Sequence, residues 1–151
     1  MPVISGNSLR RYVGGGDVLR ISGGTLVEEK EGTTFYGDDG SSTFYKGVSF
    51  STNGAPITGT AYQLNGTIHI NKSWANSSFN QCDFAHEYGH YLQQQSMSTI
   101  EYAKLSAKSL ISGFFNTAEE HLRQNFEMEA TRLGEEYMDA NIHYSDGTGV
   151  Y

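Results

Sequence analysis

His86-Glu87-Tyr88-Gly89-His90 is the stretch from which the rest of the chain is read. It lies within Phe79 to about Gln95, a run whose pattern predicts a helix. Residues four apart on a helix stand one above the other on one face. His86 and His90 therefore present two imidazoles to one point in space, which is what a zinc ion needs from its first two ligands. Glu87 flanks that point rather than occupying it, placed to take a proton from a water on the metal. The plainer reading has two helix histidines four apart by coincidence. With only five His in the chain and a Glu in the slot that matters, the chemical reading is the stronger.

Upstream of this stretch, residues 1–75 read as strands and turns. Gly14-Gly15-Gly16 and Gly23-Gly24 bracket the strand-like run Asp17 to Ser22. Neither glycine cluster is followed by the Lys-Ser/Thr of a phosphate loop, so both are turns. Thr34-Phe35-Tyr36 and Thr43-Phe44-Tyr45 are near-copies on either side of Gly37-Asp38-Asp39-Gly40, two aromatic strands joined by a loop. That loop lacks the spaced carboxylates of a calcium site. Asn65-Gly66 is a strong hairpin signal between Ala61-Tyr62-Gln63-Leu64 and Thr67-Ile68-His69-Ile70. A two-residue turn pairs Gln63 with Ile68 and Tyr62 with His69. It sends Ala61, Ile68 and Ile70 to the core side and Tyr62, Leu64 and His69 to the other. His69 then reads first as a partly exposed strand histidine beside Tyr62, and only second as a metal or substrate group.

Downstream the pattern is helical over 78–140. Three capping boxes open three helices: Ser78 with Gln81, Ser98 with Glu101, and Thr117 with Glu120. The second helix runs from Thr99 to about Ser112 with the stripe Ile100, Ala103, Ala107 and Leu110-Ile111, and Gly113 stops it. The third runs toward Asp139 and packs through Leu122, Phe126, Leu133 and Tyr137. Residues 141–151 form a tail without helix pattern.

The length of 151 residues is that of one domain, spanning 1–151. An apolar share of 37% with 18 Gly describes a folded chain with ample turns. The net charge of −7 argues against nucleic acid or an anionic membrane as partner. A single cysteine, Cys82, rules out an internal disulfide framework. No apolar run is long enough for a signal peptide or a membrane span. The expectation is a cytoplasmic chain or a piece of a larger exported protein, and the sequence does not choose.

A catalytic zinc site needs a third protein ligand and a water. The last helix offers several Glu, and Glu127 is singled out by its neighbours in Glu127-Met-Glu-Ala130-Thr-Arg-Leu-Gly134. Two small residues on or beside its stripe let this helix approach the first one closely. Gly89 inside the first helix costs about 1 kcal/mol relative to Ala, and a close contact beside the metal would explain it. Glu129 is the rival ligand. Asp83 either orients a ligand imidazole or serves the helix dipole. For an oxyanion donor, His143-Tyr144 just past the last helix and His121 are the candidates. Each also has a plain reading, as a helix-terminal cation or a surface residue.

HExxH with a later helix reading Glu-x-x-Ala-x-x-x-Gly resembles the gluzincin metallopeptidases. The resemblance covers about His69 to Tyr137 and is highly specific only at HExxH. It implies an α+β, zincin-like fold of N-terminal antiparallel strands and hairpins followed by three helices. It also implies Zn2+ held by His86, His90 and Glu127, with Glu87 as general base. Many members carry Asp after the Ala; here Thr131 stands there, so its hydroxyl would orient a ligand more weakly. The resemblance further implies an edge strand before the first helix that takes substrate as an added strand, which Ile68, His69 and Ile70 would supply. The expected activity is hydrolysis of peptide bonds, endopeptidase rather than exopeptidase, on a peptide or protein substrate. The alternative is a zincin-like toxin, effector or binding domain cut from a larger secreted protein, with the metal retained.

Overall fold

The computed structural model of the protein describes residues 10–11, 17–57, 59–110 and 117–145. Side chains 10–11, 107–110, 117–119 and 121 are outside that description, and so are the expected turn at Gly14-Gly15-Gly16, the stop at Gly113, the His121 donor and the far tail to Tyr151.

Strands lead and helices come after them, a mixed α+β arrangement. Five strands, β1 (Arg10–Arg11), β2 (Asp17–Ile21), β3 (Gly24–Glu29), β4 (Gly32–Gly37) and β5 (Ser41–Lys46), form an antiparallel meander. The two Thr-Phe-Tyr runs fall on β4 and β5 as expected, with Thr34 opposite Phe44 and Phe35 opposite Thr43. Alternation buries Leu19, Ile21, Leu26, Phe35 and Tyr45 on the inner face.

A second sheet holds β6 (Ser49–Ser51), β7 (Ala61–Leu64) and β8 (Thr67–Ile70), in the order β6-β8-β7. The β7–β8 hairpin has the expected register, Gln63 opposite Ile68 and Tyr62 opposite His69. Its turn requires positive φ at two residues, and Asn65 (51°) and Gly66 (87°) supply it. Ile68 and Ile70 are buried, while His69 stacks on Tyr62 with ring centroids 4.7 Å apart. This contact and a ring packed against Gly54 are the plain structural role. One expectation fails. β8 is the centre of its sheet, because β6 pairs with it in parallel, so Ile68, His69 and Ile70 are not an edge. The edge is β7.

Among the described residues there are four helices rather than three. A one-turn α1 (Lys72–Ala75), capped by the Asn71 side chain, precedes α2 (Gln81–Ser96), α3 (Thr99–Leu110) and α4 (Thr117–Asn141). The α2 start is displaced from the expected Ser78-Gln81 box. Asn80 is the cap, accepting from the Cys82 and Asp83 N–H groups, and Asp83 accepts from the Asn80 N–H at 3.0 Å. Phe79 before the cap and Phe84 within the helix share one core cluster, a hydrophobic staple that fixes the entry of the chain. Ser98 caps α3 as expected, its Oγ accepting from the Glu101 N–H at 3.1 Å. The Glu101 carboxylate meets the Ser98 hydroxyl at 3.1 Å and not its N–H, so half of the expected box is formed.

α3 is anchored by Tyr102, not by Ile100, which is 69% exposed. The Tyr102 hydroxyl donates to the Gln63 carbonyl at 2.8 Å, so α3 turns its tyrosine toward β7. On α4 the buried stripe is Phe126, Ala130 and Gly134, with Leu133 and Tyr137 half-buried, and Leu122 is exposed. After α4 the chain lies back on the first sheet as β9 (Ile142–Tyr144), antiparallel to β5.

α2 is the hub. Phe84, Ala85 and Tyr88 pack into the core formed by both sheets, and the opposite side meets α4. Tyr137 ties α4 to β5 by donating to the Phe44 carbonyl at 2.6 Å.

Candidate metal centre

The α2–α4 contact is made by glycines. A Cβ on Gly89 would stand 2.6 Å from the Ala130 carbonyl carbon, and one on Gly134 would stand 2.6 Å from that of Ala85. Only hydrogen fits at these positions, so the two backbones touch at two levels. This is the close approach that Gly89, Ala130 and Gly134 announce in the sequence. It brings a residue as short as Glu127 across to α2.

His86, His90 and Glu127 consequently form one cluster whose ligand atoms lie within 4.8 Å of one another. His86 Nε2 lies 2.8 Å and His90 Nε2 3.1 Å from Glu127 Oε1. The imidazole rings meet edge to face at 4.8 Å. Burial alone would push the Glu127 carboxyl up. Hydrogen bonds from both histidines and their charge outweigh it and hold the group down to about 2. The rival, Glu129, points elsewhere: its carboxylate accepts from Gln93 Nε2 at 2.9 Å.

The far nitrogen of each ring is also engaged. His86 Nδ1 lies 2.8 Å from Thr131 Oγ1, so the Thr131 hydroxyl does reach the ring. His90 Nδ1 lies 2.7 Å from Gln93 Oε1. Sequence reasoning passed over Gln93, although its place three residues after His90 on the same helix was a usable signal. Asp83 is spent on the α2 cap and makes no ring contact among those described.

Glu87 is the buried neighbour. It is 7% exposed, and its Oε1 has no hydrogen-bond partner among the described residues. Burial, then the negative charges of Glu127 and Asp83, drive its carboxyl well above the ordinary range. A carboxylate in that state is a stronger base than a solvated one.

All four residues line one cavity of about 540 Å³. β7 forms a second wall, and Tyr102, Arg123 and Phe126 complete the rim. Arg123 stands one turn before Glu127, ion-paired to Glu120 at 2.5 Å, and puts a permanent cation on the wall. His143 and Tyr144 are not there. They belong to β9 on the outer edge of the first sheet, where His143 lines a separate groove with Tyr36 and Ser42. Their candidacy as oxyanion donors falls, because strand pairing with β5 carries the chain away from α2 once α4 ends.

No protein-family model matches the chain, and no curated protein or solved structure matches it. Among the described residues no helix is long and apolar enough to cross a membrane.

Proposed function

We propose that this protein is a zinc-dependent peptidase of the gluzincin type with a zincin-like fold, and that His86, His90 and Glu127 hold the metal. The carrying observation is the pair of imidazole nitrogens converging on one carboxylate oxygen at 2.8 and 3.1 Å, beside a buried Glu87 with an unsatisfied oxygen. Two imidazoles and one carboxylate are the donor set of a catalytic zinc site with one position left open. A bound zinc supplies Lewis acidity, acidifying its water and polarising the substrate carbonyl.

The chain's own groups do the rest. Glu87 takes the proton of the attacking water, and burial raises its affinity for that proton. The same carboxyl then delivers that proton to the leaving nitrogen. A purely structural metal has no use for a base there, and this favours catalysis over a binding module.

The substrate is an extended peptide lying along β7. Asn71 N–H donates to the Thr60 carbonyl, so the antiparallel alternation turns the main-chain groups of Ala61 and Gln63 away from β8. The Gln63 carbonyl already accepts from Tyr102. Ala61 is therefore the central docking residue for an added strand. The docking strand is β7 rather than the strand that HExxH order implied.

The test is cleavage of a peptide library by the zinc-loaded chain, before and after metal removal by a chelator. Hydrolysis that disappears with the metal and returns on adding zinc supports the proposal. A zinc-loaded chain that leaves the library intact overturns it.

A further inference from the structure

We infer that Gln93 is a positioning residue that selects the tautomer of His90 and ties it to the segment carrying Glu127. Gln93 is 1% exposed and makes three side-chain hydrogen bonds. Its Nε2 donates to the Phe126 carbonyl at 2.8 Å and to the Glu129 carboxylate at 2.9 Å. Both of those partners can only accept, so they decide which end of the amide is nitrogen. The other end is therefore oxygen, and it faces His90 Nδ1 at 2.7 Å. A carbonyl oxygen accepts but never donates, so Nδ1 carries a hydrogen, and Nε2, which faces Glu127 Oε1 at 3.1 Å, is the nitrogen left for the metal.

His86 has no such constraint, since the Thr131 hydroxyl can turn either its hydrogen or a lone pair to the ring. The centre is thus asymmetric: one imidazole faces at Nδ1 an oxygen that can only accept, and the other adapts. Gln93 also spans the helices. Phe126 and Glu129 flank Glu127, so one amide on α2 holds both a ligand on its own helix and the backbone beside the ligand on α4. Glu129, the rival ligand by sequence, is a support for Gln93.

The inference rests on the zinc reading only for why Nε2 should be left free; the Nδ1 hydrogen itself is measurable without metal once Glu127, the rival acceptor on Nε2, is removed. The experiment records long-range 1H–15N correlation spectra of the metal-free Glu127→Ala protein at alkaline pH. In parallel, zinc affinity is measured by competition with a chromophoric chelator. His90 of Glu127→Ala is expected as the Nδ1–H form. Adding Gln93→Leu should release it, and Gln93→Leu alone, with Glu127 intact, should weaken zinc by about 10–100-fold.

An Nε2–H form at His90 of Glu127→Ala, or a Gln93→Leu protein with unchanged zinc affinity, overturns the inference. Nδ1–H in Glu127→Ala beside a wild-type chain that binds no zinc would leave the Gln93 assignment standing and defeat the metal proposal instead.

Discussion

Replacing Gly89 by Ala probes the contact that builds the site. On an isolated helix the change would stabilise by about 1 kcal/mol. Here the added Cβ would lie 2.6 Å from the Ala130 carbonyl carbon and 2.9 Å from its Cα, whereas ordinary contacts begin at 3.4 Å. Backbone atoms cannot rotate aside, so α2 and α4 must part by about 1 Å at this level. Overpacking of a tight core costs about 1–3 kcal/mol, which offsets or exceeds the propensity gain. The net expectation is a loss of up to about 2 kcal/mol. Glu127 lies one turn from Ala130, so the same parting widens its 2.8 and 3.1 Å spacings to His86 and His90. Zinc affinity should then fall by about tenfold or more. Urea unfolding monitored by far-ultraviolet circular dichroism reads the first effect, and chelator competition reads the second. A Gly89→Ala protein at least as stable as wild type, with unchanged zinc affinity, would mean that the two helices are not held apart only by hydrogen at this position.

Glu127→Ala should abolish stoichiometric zinc binding, while Glu129→Ala should retain the metal with reduced affinity; metal analysis of the two purified variants separates ligand from support. Burial lifts the Tyr102 phenol from 10.0 to about 12. A raised phenol leaves its stabilisation fully present below pH 10 and loses it as pH climbs through about 12, worth about 2–3 kcal/mol. Tyr102→Phe should flatten the alkaline fall of the urea midpoint over that window, and an unchanged slope would contradict the assignment. Asn80→Ala removes the α2 cap and should cost about 1 kcal/mol in the same unfolding assay, whereas Ser78→Ala should cost far less.

Local signals were the readable ones. Asn65-Gly66 set the hairpin register because a two-residue turn leaves no other pairing. The spacing of Glu127, Ala130 and Gly134 pointed to the residue that meets His86 and His90 because small residues are what close helix packing requires. The α2 cap was misplaced by two residues. Both Ser78 and Asn80 have a capping partner three positions on, and Phe79 seating in the core decides between them. Ile100 read as a core residue from helical spacing, yet Tyr102 won because its hydroxyl finds Gln63 on another element. The pairing of β9 with β5 joins residues about a hundred positions apart and left no local trace, so His143 and Tyr144 were assigned by nearness to the helix end alone. β6 reaching β8 in parallel displaced the edge to β7 for the same reason. Gln93 was hidden by its neighbours, a run of Gln on a helix that reads as a solvated face.

Glu87→Gln separates metal binding from chemistry in a single substitution. Gln keeps the shape of the side chain and loses the base, and Glu87 is not among the three residues that meet at the metal position. Zinc content and peptide hydrolysis should be measured on the same preparations of wild type and variant. Equal zinc is expected in both, with hydrolysis in the wild type only and a loss of at least about 100-fold in the variant. A variant that cleaves as fast as wild type would contradict the role of Glu87 and, with it, the peptidase mechanism.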